Sequence, residues 1–122
     1  VDEDFAASVF ERNCASRGVL TDITGRWGSL ALGALHEGAF RFNALRRRVD
    51  GVSEKMLAQT LQALERDGLV RREVQATIPP RVEYSLTDLG ERVAAKMKEL
   101  IVLVEGEMDQ VRVAQEAYDR AH

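Results

Sequence analysis

Residues 51–74 read GVSEKMLAQTLQALERDGLVRREV. Leu57, Leu61 and Leu64 recur at i, i+4 and i+7, the spacing of a single buried stripe on a helix. Ser53 precedes them as an N-cap, its hydroxyl placed to accept from the free backbone donors of the first turn. Position 56 is Met rather than Glu, so no full capping box forms. Gly68 supplies a left-handed stop, and Leu69–Val74 then reads as a strand. The helix turns Lys55, Gln59 and Gln62 away from its leucines. Such a polar face is either an ordinary solvated surface or a surface that reads something, and the neighbouring sequence bears on which.

Downstream, Ile78-Pro79-Pro80 reads as a rigid loop and Val82–Leu86 (VEYSL) as a returning strand, which makes a hairpin carrying Arg71, Arg72 and Arg81. Thr87 caps a last, long helix in which Val93, Met97, Leu100, Val104, Met108 and Val111 form an apolar stripe. Ile101, Val102 and Leu103 widen that stripe beyond what a terminal helix of one small domain buries, so a partner helix is the better reading. Gly106 costs about 1 kcal/mol inside a helix, and a bend or break is expected there. Upstream, Asp50-Gly51 is a turn signal and Phe42–Val49 (FNALRRRV) a two-turn helix with Phe42, Leu45 and Val49 inward. Ala39–Arg41 reads as a short strand. Trp27–Leu35 reads as a small-residue helix burying Trp27, Leu30, Ala31, Ala34 and Leu35; Ser16–Thr24 and Phe5–Asn13 read as two further helices.

The fold class expected from this order is mainly α (α+β), a winged helix-turn-helix with a two-stranded wing and additional N- and C-terminal dimerisation helices. It is one domain over 1–122: a helical arm at 1–24, the winged helix-turn-helix at 25–86, and a C-terminal dimerisation helix at 87–122. A helix about 10–12 Å wide fits the major groove of DNA, where its N-terminal turns reach base edges. A flanking hairpin lays arginines along phosphates or into the minor groove.

A composition of 45% hydrophobic and 30% charged residues is that of a folded globular chain. The formal net charge of −3 runs against the basic total usual for nucleic-acid partners. Its distribution does not. Residues 41–82 hold nine Lys/Arg against five Asp/Glu, whereas 1–25 hold two against five and 91–122 five against seven. A polyanion meets the local face rather than the sum. Apolar runs such as Leu100–Val104 are too short to cross a bilayer, and the acidic start lacks the pattern of a secretory signal, so no membrane association and a cytoplasmic location are expected. With one cysteine and two histidines, neither an internal disulfide nor a soft-metal site is expected. No cofactor is implied. The chain has no Gly-rich phosphate loop, no His-Glu metal pattern and no nucleophile with a histidine partner, so it does not read as an enzyme.

Cys14, GRW at 25–27, RF at 41–42, LRRRVDGVSEKML at 45–57, LERDGLVRR at 64–72 and PPRVEYSLTDLG at 79–90 together resemble the HxlR-type family of bacterial winged-helix transcription regulators. The likeness spans nearly 14–105. It implies a homodimer on an inverted-repeat operator in double-stranded DNA, joined through N- and C-terminal helices. Some members of the family sense electrophiles, quinones or oxidants through a cysteine near the N-terminus, the place Cys14 occupies. The usual Cys-Pro pair is Cys14-Ala15 here, and the segment after Trp27 is richer in Gly and Ala than usual.

The candidate DNA-binding residues are therefore Arg46, Ser53, Lys55, Gln59, Gln62, Arg72 and Arg81. The candidate dimer interface is Val93, Met97, Leu100, Val104, Met108 and Val111. Cys14 is either a small apolar residue with no further role or a reactive thiol, favoured by Arg12, Arg17 and the dipole of the helix that follows. Two alternatives stay open: a winged-helix protein-interaction module without DNA binding, and a regulator controlled by a small-molecule ligand instead of thiol chemistry.

Overall fold

The computed structural model describes residues 9–11 and 14–122. Most of the helix expected over Phe5–Asn13 lies outside the described residues. The described residues form six helices and three strands: α1 (Ala15–Thr24), α2 (Arg26–Leu35), β1 (Phe40–Arg41), α3 (Phe42–Arg48), α4 (Glu54–Arg66), β2 (Val70–Gln75), β3 (Arg81–Leu86), α5 (Asp88–Gly106) and α6 (Met108–Ala121).

The decisive stretch folds as its local chemistry dictates. Ser53 Oγ accepts from the Met56 N–H at 3.1 Å, and Leu57, Leu61 and Leu64 are fully buried. At the far end Gly68 adopts φ +78°, which lets the Leu69 N–H return to the Leu64 carbonyl at 3.0 Å. Leu32, Leu35, Leu45 and Leu69 join these leucines at the centre of the core. In α2 the expected stripe needs one correction: Leu30 is 42% exposed and Leu32 takes its place inside. This helix packs against α1, α4, α5 and the sheet at once, so a one-sided stripe does not describe it.

The sheet is antiparallel in the order β1-β3-β2. The wing is thus three-stranded rather than two-stranded. Its extra member is the short strand expected over Ala39–Arg41, which forms at Phe40–Arg41 and pairs Phe40 with Tyr84 and Arg41 with Glu83. Tyr84, opposite both Phe40 and Arg72, is buried and lies 6.4 Å from Phe42, ring to ring, tying wing to core.

The long terminal helix divides at Glu107, where φ −110° and ψ 14° interrupt it. Gly106 stands at that break, as its low helix propensity suggests. Before it, α5 is locked to the end of α4. Thr87 Oγ1 donates to the Gly68 carbonyl at 2.6 Å and accepts from the Gly90 N–H at 3.0 Å, while the Thr87 N–H reaches the Leu69 carbonyl. Among the described residues no helix is long and apolar enough to cross a membrane, and no group of three metal-ligating side chains occurs.

Candidate nucleic-acid interface

Burial of the leucine stripe leaves the opposite side of α4 exposed, and β2 and β3 stand beside it. Lys55, Gln59 and Gln62 line one side of an open groove of about 340 Å³; Arg72 and Tyr84 line the other. The structure thus gathers four of the seven candidate side chains around a single recess. Glu65 shares it, and this carboxylate disfavours a phosphate at the C-terminal end, leaving the amino-terminal half as the end that suits a polyanion. Arg71 turns elsewhere and lies 3.9 Å from Glu73, as strand alternation requires.

Arg46 lies apart. It lines a second depression with Asn43, Arg47 and Asp50 that runs into Gly51 and Val52, immediately ahead of the first turn of α4. Arg46 and Arg47 are both exposed there. Arg48 is committed otherwise: its Nε and Nη2 meet Glu37 Oε1 and Oε2 at 2.9 and 2.6 Å. The hydrogen bond to Arg48 holds the Glu37 carboxyl below its usual range, and Glu37 in turn raises the guanidinium. Arg81 is exposed where the wing loop enters β3, opposite Gln75. Ser53 caps α4 through its oxygen lone pair, which leaves its O–H to donate outward.

Sequence reasoning passed over three groups near α4. Met56, Thr60 and Arg26 line a recess on its other flank together with Gln59, and Arg26 also lies over the Trp27 ring at 5.6 Å. In the sequence Met56 registers only as the residue that leaves the capping box incomplete. The available signal is spacing: Gln59 and Thr60 follow Met56 at i+3 and i+4, which puts the three on one face.

The dimer candidates separate into two sets. Val93 packs onto the core and Met97 is buried, so both serve the chain's own interior. Leu100 and Val104 are 52% and 48% exposed, Val111 is exposed and Met108 half-buried. Val102 and Leu103 add to this uncovered apolar surface.

Cys14 occupies the N-cap of α1 with extended backbone, and its Sγ lies 2.9 Å from Ser16 Oγ. At the other end of the same helix, Asp22 meets Asp67, the C-cap of α4. Burial, and then Asp22, raise the Asp67 carboxyl above the usual 3.8. Asp67 Oδ2 is inaccessible and has no donor; protonation of Asp67 supplies the hydrogen for its bond to Asp22. A folded-state pKa above the unfolded one stabilises below the unfolded value, and that contribution disappears as pH rises through the folded value. Asp67→Asn should therefore stabilise the protein at pH 7 by about 1 kcal/mol, the scale of one unpaired buried acceptor. Thermal melts should show that advantage shrinking toward pH 4.

The model of the HxlR-like helix-turn-helix family matches residues 22–112. An HTH-type transcriptional regulator of Escherichia coli, YtfH, is 52% identical over 104 residues, covering 85% of this chain and 82% of the relative. A solved structure of YtfH from Salmonella typhimurium, described as a transcriptional regulator, superposes with a TM-score of 0.83 at 51% identity, covering 88% and 96% of the two chains. The reduced form of HypR, described as a redox regulator, gives a TM-score of 0.73 at 33% identity, covering 80% and 97%.

Proposed function

The chain belongs to the HxlR-like helix-turn-helix family of transcriptional regulators, and from that premise we propose that it acts as a homodimer binding an inverted-repeat operator through α4 and the wing. The observation that carries this reading is the grouping of Lys55, Gln59 and Gln62 with Arg72 around one groove. The polar residues of α4 read base edges; Arg46, Arg72, Arg81 and the Ser53 hydroxyl hold phosphates. Leu100, Val104, Met108 and Val111 meet a second copy, which sets two reading helices about 34–36 Å apart, one turn of the duplex.

Gln59→Ala should weaken binding to the operator by about 1–3 kcal/mol and relax preference at one position per half-site. Arg81→Ala should weaken all sequences similarly. It should also flatten the log–log salt dependence by about 0.9, the value of one phosphate contact. Mobility shifts on operator and scrambled duplexes measure both. A protein-interaction module without DNA binding would give no operator-specific retardation.

Thiol control of the regulator is favoured by the place of Cys14 at the start of α1, beside the Ser16 hydroxyl, and by the likeness to HypR. Diamide takes two hydrogens from a pair of thiols and joins the sulfurs, here one Cys14 from each subunit, while it is reduced to the hydrazine. In the same assay diamide should release operator from the wild type and leave Cys14→Ser bound. Equal release from both would leave control to a small-molecule ligand.

A further inference from the structure

Most exposed apolar side chains lie on α5 and α6. Met56 lies in the first turn of α4 and is 40% exposed. Its backbone is fully engaged, with the N–H held by Ser53 Oγ and the carbonyl accepting from Thr60 Oγ1 at 2.7 Å. Thr60 thus commits its proton inward. The flank of α4 formed by Met56, Gln59 and Thr60 consequently presents an apolar thioether next to the amide of Gln59, with Lys55 one residue earlier in the same turn.

A thioether left in water at the leading edge of a reading helix gains by finding apolar surface. On the major-groove edge of a base pair the apolar feature is the C5 methyl of thymine. The N-terminal residues of such a helix are the ones that reach base edges, and an unbranched, polarizable side chain adapts to a methyl without a fixed hydrogen-bond direction. We propose that Met56 reads a thymine methyl in each operator half-site, beside the base read by Gln59. The inference rests on the DNA-binding reading above and adds to it an apolar determinant of specificity, one that separates thymine from cytosine and fixes the orientation of an A·T pair.

The probe is the duplex that the wild-type protein selects from a random library, with each thymine of the half-site replaced in turn by deoxyuridine. That exchange removes the C5 methyl and nothing else. At one position it should weaken wild-type binding about four-fold per half-site, the equivalent of ~0.8 kcal/mol for one buried methyl, and about fifteen-fold with both half-sites changed. Met56→Ala should bind the thymine and uracil duplexes equally, and Met56→Leu should keep the preference. Met56 is 40% exposed and otherwise covered, so each variant is compared with itself on thymine and uracil duplexes well below its own melting temperature, which separates the methyl preference from any loss of stability. Absence of any uracil-sensitive position, or a sensitivity that survives in Met56→Ala, overturns the assignment while operator binding stands. Failure to select any sequence removes the DNA-binding reading, and this inference with it.

Discussion

Val104→Arg should make the protein monomeric and lower operator affinity by about a hundred- to ten-thousand-fold, the range lost when two linked binding events become one. Val104 and Leu100 are about half exposed on α5, and Leu103 extends the apolar area beside them. Nothing else among the described residues covers them. An arginine inside a packed apolar contact would have to give up its hydration without a partner, which opposes association strongly. In the isolated subunit the same side chain stands in water, so circular dichroism and the early melt of the subunit should be unchanged. Light scattering after size-exclusion chromatography reads the mass, and a wild-type elution volume would place the interface elsewhere. Met97 supplies the contrast. It continues the same stripe one turn earlier but is buried in the subunit, so a charge there attacks the fold rather than the assembly.

That division within one stripe marks where the sequence stops being informative. Val93 through Val111 share a helical period, and period alone does not tell an inward residue from one that meets a partner. Beyond Met97 the residue facing α2 is Ile101, which approaches Gly33, while Leu100 and Val104 are left exposed. Local signals transferred well because their chemistry is complete within a few residues: the Ser53 cap, the Gly68 stop, the Thr87 cap and the stripe Leu57, Leu61 and Leu64 all take their expected places. Contacts between distant segments did not transfer. The pairing of Arg48 with Glu37 spans eleven residues, and the meeting of Asp22 with Asp67 joins two helices with three elements between them. The short strand at Phe40–Arg41 is legible in the sequence, but its pairing with β3 is not. For the candidate interface, the polar positions of α4 were legible from helical geometry. Their grouping with Arg72 depends on how the wing folds back, and Met56 was hidden because an apolar residue on a helix is read first as core.

Gly90→Ala should destabilise the protein by about 3 kcal/mol or more, the upper range for overpacking a filled interior, and lower its melting temperature by roughly 10 °C. A Cβ at position 90 would overlap the carbonyl oxygen of Leu69, with the Leu69 carbonyl carbon and Cα close behind. Both sides of this contact are backbone, so no side-chain rotation relieves it. The surrounding hydrogen bonds show what has to move. Thr87 holds the Gly68 carbonyl through its hydroxyl, the Leu69 carbonyl through its N–H, and the Gly90 N–H through its oxygen. Gly68 and Leu69 end α4 and lead into β2, while Gly90 lies in the first turn of α5, the helix that bears Leu100 and Val104. Three parts of the molecule are therefore referenced to one junction a few residues wide. A shift of α5 away from Leu69 should change the angle between the dimer face and α4, and with it the separation of the two reading helices. Operator affinity should then fall further than the loss of folded protein accounts for, when measured well below the melting temperature. If Gly90→Ala melts early yet binds operator normally at low temperature, the junction stabilises the fold without setting the geometry of reading.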